Sequence, residues 1–337
     1  MNIQKNASLK EFNTFGIDKK AEFFIQVTSV QEVIQALKEA KKMNLPVFIL
    51  GGGSNILLTR DIPGLVLKMC IKGFDILRED EKNVWVRVGA GEIWHDFVQR
   101  AIASDLAGVE NLSLIPGTVG ASPMQNIGAY GAEIQEVFDS LEAIDLQTFE
   151  KVIFDHSHCA FGYRESIFKN SAKNKYIITR VIFKLNKIPE FNISYGALQA
   201  TLKEMGVEKL SLESVSKAVI QVRKSKLPDP AIIGNAGSFF KNPTIPISQF
   251  ESLKKKYEQL PGYPNDNGVK VPAAWLLEKA GWKGKTFGDI GVHKHQPLVL
   301  VNYGKGDGLA IKELSEQIQN DILEKFGIHL HPEVNFV

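Results

Sequence analysis

The sequence predicts an α+β protein built from two or three domains, and three observations predict it. At 337 residues the chain is longer than one average core supports, so length alone asks for several cores. Helical periodicity appears twice in the first third, and strand-like runs then follow one another with no helix between them. The last third mixes both kinds of element again, after the proline break "LPDP".

Taken in order, "AEFFIQV" (21–27) is rich in aromatic and β-branched residues and reads as a strand. Residues 29–44 read as a helix, with a capping-box pair at Ser29 and Glu32 and apolar residues at Val30, Val33, Ile34 and Leu37. "PVFIL" (46–50) is a strand that runs into "GGGSN", which completes a βαβ unit ending in a glycine loop. Strands are expected at 65–68 and 84–88, then a helix over 91–104 with Ile93, Phe97 and Ile102 facing inward. The segment 111–131 is long, irregular, apolar and uncharged, which argues for a functional loop rather than disorder. Strands resume at 140–146, 151–155 and 175–185, and a helix over 211–226 leads into "LPDP". Beyond it, helices are expected at 247–259, 272–281 and 308–326, with strands at 297–302 and 332–337.

Composition narrows the class of function. Hydrophobic residues are 44% and charged residues 23%, ordinary for a globular protein, and the net charge of +2 carries no polyanion signature. No nucleic-acid or membrane partner is expected, since no run of about twenty apolar residues exists. Two cysteines, Cys70 and Cys159, fit a reducing compartment. The first residues lack a signal-peptide pattern. A monomeric cytoplasmic protein is the expectation.

Several stretches carry chemistry. In "ILGGGSNIL" the glycines let backbone amides face a ligand, or simply make a sharp turn; no Lys-Ser/Thr follows, and G-x-G-x-x-G is absent, so neither a P-loop nor a dinucleotide fingerprint is present. "IPGTVGASPMQNIGAYG" is a second glycine loop, with Gly117, Gly120, Gly128 and Gly131. Together the two fit a large cofactor better than either alone. Arg164, between Tyr163 and Glu165, is an ordinary surface ion pair or a partly buried guanidinium that requires an anion. The pairs "HSH", "HKH" and "HLH" put two imidazoles on one face if extended, but no supporting ligand spacing accompanies them and no metal is expected. His95 reads as a partly buried, satisfied side chain. Ser238, in "NAGSFFKNP", places one hydroxyl between Gly237 and two phenylalanines, either as a turn or as a proton donor in a dry pocket.

The segments "GGGSN", "LIPGTVGASPMQNIGAYG", "FGYRESIFK", "KLPDP", "GNAGSFFKNP" and "PEV" occur in this order over nearly the whole chain. Together they resemble the UDP-N-acetylenolpyruvoylglucosamine reductase (UDP-N-acetylmuramate dehydrogenase) family. "SYGAL" is similar to the tyrosine loop of its type I subgroup. One departure is His331 before "PEV", where an acidic residue often stands.

The resemblance implies an FAD-binding fold of the vanillyl-alcohol-oxidase (PCMH) type in two lobes, residues 1–70 and 71–225. A C-terminal α+β substrate-binding domain, 226–331, and a last strand, 332–337, would follow. It implies that NADPH reduces non-covalent FAD, and that UDP-N-acetylglucosamine-enolpyruvate is then reduced to UDP-N-acetylmuramate for peptidoglycan. Arg164 would steady the developing negative charge, Ser238 would deliver the proton, and Glu333, protonated or paired with a cation, would be the acidic partner. Tyr195, Lys226, Asn242 and Gln296 match substrate contacts. For FAD, the matched positions are Gly51, Gly53, Ser54, Asn55, Pro116, Gly117, Gly120, Ser122, Gly128 and Tyr130. The alternative is another flavin oxidoreductase on the same cofactor domain, oxidising a small alcohol.

Overall fold

The computed structural model describes residues 2–265 and 267–337. Two compact units emerge from the chain: residues 1–7, 21–52 and 62–225 form the first, and residues 8–20, 53–61 and 226–337 the second. Residues 8–20 and 53–61 therefore cluster with the C-terminal part and not with the rest of the first seventy residues.

In the first unit, a four-stranded sheet has the order Gln4–Ser8, Lys20–Val27, Ile62–Met69, Val47–Leu50. Lys20–Val27 and Val47–Leu50 both run parallel to Ile62–Met69, so the helix Val30–Lys42 is a crossover between parallel strands. Its stripe Val33, Ala36, Leu37 and Ala40 packs with Ile25, Val27, Leu65, Leu67 and Met69. The Ser29 hydroxyl accepts from Glu32 N–H at 3.2 Å. The Glu32 carboxylate reaches Thr28 N–H at 2.6 Å rather than that of Ser29, so the cap closes one residue earlier than a capping box.

The second sheet is antiparallel, in the order Lys151–Asp155, Phe138–Asp145, Tyr176–Asn186, Asn83–Gly89, Phe74–Glu79. The helix Trp94–Ala103 lies in its core cluster with Phe183. Phe97 stacks on Phe183 with ring centroids 4.7 Å apart. The inner face differs from expectation at Ile93, while Phe97 and Ile102 pack on the core. Ile93 precedes the helix and is 49% exposed, and the buried stripe is Trp94, Phe97, Val98 and Ala101. The helix starts three residues later than its periodicity suggested, which rotates Ile93 off the core. Two further helices, Gly196–Glu204 and Leu212–Lys226, share a satellite cluster of Leu198, Leu202, Val215, Ala218 and Val219.

The segment 111–131 is ordered by backbone pairing. Trp94 N–H donates to Gly117 O, Val119 N–H to Glu92 O, and Gly120 N–H to Ala90 O. Trp94 Nε1 donates to Leu112 O at 2.8 Å. A Cβ on Gly120 would collide with Ala90. These bonds satisfy backbone groups that the irregular segment could not pair within itself, as buried backbone requires.

The second unit contains a sheet of Thr244–Ile245, Gly268–Lys270 and Tyr263–Asn265, and another of Thr286–Phe287, Ile290–Val292 and Leu300–Asn302. Its helices are Ile247–Lys256, Ala273–Lys279 and Gly308–Phe326. The last is capped by Asp307, whose carboxylate accepts from Leu309 N–H at 2.7 Å, and closed by Gly327 at φ 65°. The expected strand at 332–337 contracts to Asn335–Phe336, parallel to Ile56–Leu57, so Glu333 lies before the strand and not within it. Two of the three histidine pairs are also not where extended strands would put them. "HSH" opens the short helix His156–Cys159, and "HKH" follows strand Ile290–Val292 in a bend. Among the described residues no group of three His, Cys, Asp or Glu is placed to hold a metal, and no helix is long and apolar enough to cross a membrane.

Candidate active site

In the first unit, Arg164 occupies the second position of a two-residue hairpin loop closed by mutual Gly162 and Glu165 backbone bonds. Its φ of 56° is left-handed, costly for a side-chain-bearing residue. The guanidinium is 20% exposed. Its Nη2 donates to Gly128 O, its Nη1 lies 3.5 Å from Glu133 Oε1, and it sits 5.2 Å from the Tyr163 ring centroid. A Cβ at Gly128 would come within 2.8 Å of Arg164 Nη1 and 2.7 Å of Glu133 Cγ. Gly128 must be glycine for this cation to lie where it does.

Tyr130 and Tyr195 meet edge to face, ring centroids 5.2 Å apart at 81°. Asn111, 3% exposed, ties their segments together, its Nδ2 donating to Tyr130 O at 2.9 Å and Asn192 O at 2.7 Å. Burial raises the Tyr130 phenol above its ordinary range, so it remains a protonated donor.

The two glycine loops touch within this unit. A Cβ on Gly52 would lie 2.6 Å from Gly117 Cα, and one on Gly51 would lie 3.0 Å from Thr118 Oγ1. That Thr118 hydroxyl is buried with no hydrogen-bond partner among the described residues. Buried polar atoms are seldom left so. Lys68, whose ammonium is pushed toward neutrality by burial, donates to Gly51 O. An orphaned hydroxyl, a half-buried lysine on the adjoining Gly51 carbonyl and glycines in close approach fit the phosphates of a flavin dinucleotide. By contrast Ser122 is 1% exposed and its hydroxyl donates to Val119 O at 2.7 Å, so that side chain closes the loop.

In the second unit, Ser238 is half-buried, and Phe239 and Phe240 after it are 0% and 1% exposed. Gly237 has φ 71°, and an added Cβ would meet nothing within 4 Å, so glycine is required for the backbone rather than for space. Asn235, 1% exposed, organises the turn. Its Oδ1 accepts from Gly237 N–H at 2.9 Å and its Nδ2 donates to Ile233 O at 2.8 Å. Phe239–Lys241 then pairs antiparallel with His331–Glu333, through Glu333 N–H to Phe239 O at 2.8 Å and Lys241 N–H to His331 O at 2.9 Å. Ser238 and Glu333 are thereby brought to one ladder. Asn55 joins them, its Nδ2 donating to Glu333 O at 3.1 Å.

The other expected residues are distributed as follows. Gly53, at φ 65°, packs against Phe12 O with no room for a Cβ. Ser54 adjoins it. Pro116 is exposed, and Lys226 is exposed at the end of Leu212–Lys226. Asn242 Oδ1 accepts from Ala273 N–H at 2.9 Å, so a ligand would meet its Nδ2. Gln296 stands in a turn shaped by His293, whose Nδ1 accepts from the N–H groups of His295 at 3.4 Å and Gln296 at 3.3 Å.

A model of the UDP-N-acetylenolpyruvoylglucosamine reductase C-terminal domain matches residues 229–337, and a model of the FAD-binding domain matches 21–148. A UDP-N-acetylenolpyruvoylglucosamine reductase of Flavobacterium johnsoniae is 52% identical, covering 100% of both chains. The chain belongs to the UDP-N-acetylenolpyruvoylglucosamine reductase family. Another reductase of that name, from Pseudomonas fluorescens, is 49% identical over 99% of each chain. In fold, the chain is similar to the crystal structure of the Thermus caldophilus reductase, with a TM-score of 0.70 at 23% identity over 100% of this chain and 99% of that one. It is also similar to 6-hydroxy-D-nicotine oxidase of Arthrobacter nicotinovorans, with a TM-score of 0.56 at 12% identity over 99% and 88%. The α+β, FAD-binding architecture with the family's C-terminal domain therefore stands, and FAD is the cofactor. Sequence reasoning missed Asn111, Asn235 and Thr118, which are buried, and Glu133 and Lys68, which are half-buried, since only the fold reveals how these polar residues are enclosed. The one local signal was "EIQE", a capping-box spacing that pins Glu133 to Glu136.

Proposed function

We propose that this chain reduces UDP-N-acetylglucosamine-enolpyruvate to UDP-N-acetylmuramate, with NADPH as reductant, and that Arg164, Ser238 and Glu333 divide the chemistry. The observation that carries the reading is 52% identity to a reductase of this name over the full length of both chains. FAD, which the glycine loops around Gly51, Gly52 and Thr118 would hold, would supply two-electron hydride chemistry between NADPH and the β-carbon of the enolpyruvyl group.

The protein's own residues manage the charge and the proton. Hydride addition builds negative charge at the α-carbon, which spreads into the adjacent carboxylate. Arg164 binds that carboxylate, and a guanidinium fork suits it. Losing one such donor costs about 3–4 kcal/mol of barrier. Ser238 holds the proton for the α-carbon. An alcohol is a weak acid, so it acts against a strongly basic carbanion with a polar relay behind it, while Phe239 and Phe240 exclude water. Glu333, half-buried, serves as an acid or as a cation's partner, since a bare carboxylate would repel the growing charge. Tyr195 folds over the nucleotide sugar, as in the type I subgroup, Lys226 and Asn242 contact the nucleotide, and Gln296 makes a further substrate contact. In the same reading, residues 1–70 and 71–225 serve the flavin, while 226–331 with 332–337 serve the substrate. The protein works as a monomer in the cytoplasm, consistent with two free cysteines.

The test is spectroscopic. Under anaerobic conditions NADPH bleaches the flavin, and the enolpyruvyl sugar nucleotide restores the yellow colour with one product formed per flavin. Bleached protein that recolours rapidly in air, yet not with the sugar nucleotide, refutes the reading in favour of an alcohol oxidase.

A further inference from the structure

We propose that Glu133 is a positioning residue that keeps the Arg164 guanidinium aimed and available for the substrate carboxylate. This rests on the role given to Arg164 above. Glu133 stands directly opposite Gly128 in the two-stranded pairing of Gly128–Ala129 with Ala132–Glu133. Its carboxylate is fixed from several sides. Oε2 accepts from Asn126 Nδ2 at 2.7 Å and Gln135 Nε2 at 2.8 Å. The side chain also accepts from the backbone of Glu136, whose carboxylate takes Glu133 N–H at 2.9 Å. Asn126 is 0% exposed and is held in turn, with Gly162 O accepting from its Nδ2 at 3.1 Å and Gln135 N–H donating to its Oδ1 at 3.1 Å. One buried amide therefore links the carboxylate to the hairpin that carries Arg164.

What this network does not do is neutralise the arginine. A bidentate pair would engage two guanidinium nitrogens at 2.7–2.9 Å. Here a single oxygen faces a single nitrogen at 3.5 Å, the second oxygen being committed to neutral amides. Gly128 O takes the other terminal nitrogen. A guanidinium has five donors, so this arrangement sets its direction with two contacts and leaves it capacity for a second carboxylate. The incoming acid need not break a tight ion pair, and the cation need not turn to meet it. Such fixed partners are the ones that lower barriers most.

The experiment uses the full-length holoenzyme and follows the two half-reactions separately by stopped flow. Glu133→Gln should bleach with NADPH at the parental rate but be reoxidised by the enolpyruvyl sugar nucleotide about 10- to 100-fold more slowly, the scale of a catalytic group misplaced by about 1 Å. Glu133→Asp should recover part of that loss. Adding Glu133→Gln to Arg164→Lys should slow reoxidation no further. Parental reoxidation by Glu133→Gln, equal slowing of bleaching and reoxidation, or additive losses in the double variant would each overturn the proposal. Parental reoxidation by Arg164→Lys alone would instead sink the role of Arg164 itself, and this inference with it.

Discussion

The two units hold the groups proposed for the chemistry by different means. In the first, Arg164 is placed largely by side-chain ties: a carboxylate, a buried amide holding its hairpin, and the close approach to Gly128 that a Cβ would block. In the second, Ser238 and Glu333 are placed by main chain, through the pairing of 239–241 with 331–333 and the turn at Gly237. A group aimed by side chains is vulnerable to single substitutions around it. A group carried on a ladder tolerates changes in neighbouring side chains and responds instead to backbone geometry and register.

The largest expected effect tests the second mode directly. Ser238→Ala leaves the ladder intact and removes only the hydroxyl, so NADPH bleaching should be normal while product formation falls by about 10²–10⁴-fold, the range for lost proton transfer. Near-parental turnover would remove Ser238 from the chemistry. Next comes Gly128→Ala, which adds one methyl group where Arg164 Nη1 and Glu133 Cγ already stand. Reoxidation by the sugar nucleotide should drop about 100-fold, the cost of a displaced catalytic group, with bleaching little changed. If both half-reactions keep their rates, Arg164 is not aimed by close packing and the contrast fails.

The smallest effect is on stability, and each unit offers one case. His95 Nδ1 accepts from Leu114 N–H at 3.0 Å, and His293 Nδ1 accepts from two backbone N–H groups. Both are needed neutral, and burial is the first cause lowering both from the ordinary value of 6.5. Below about pH 6.5 the unfolded chain takes up protons that the folded protein resists, so stability falls as pH drops through that region. Thermal melts from pH 8 to 5 should decline, and His95→Asn or His293→Asn should flatten part of the slope. Unchanged slopes in both would show that neither imidazole matters as an acceptor.

Much of this was legible in the sequence, for physical reasons. Helix Gly308–Phe326 has clean periodicity and a glycine stop, and both glycine loops declare themselves because only glycine permits such approaches. The helix Gly196–Glu204 was not foreseen, since its buried face is only Leu198, Thr201 and Leu202. Nor was the two-residue strand Thr286–Phe287, too short to show alternation. Of the residues proposed for the chemistry, Arg164, Ser238 and Glu333 could be named from motifs, whereas the ties Glu133, Asn126 and Asn235 could not. Asn and Glu in loops are usually solvated, and only the fold makes them internal ties.

The stretch from Glu333 to Asn335 joins two pairings of opposite sense: Glu333 N–H binds Phe239 O, and two residues later Asn335 N–H binds Asn55 O. A one-residue insertion there would displace the acidic side chain by roughly one strand rise, ~3.3 Å, and reverse the side it presents. The count of residues between those anchors thus sets where the proposed acidic group is presented, and deletion or insertion scanning of this joint should prove harsher than any replacement of Val334.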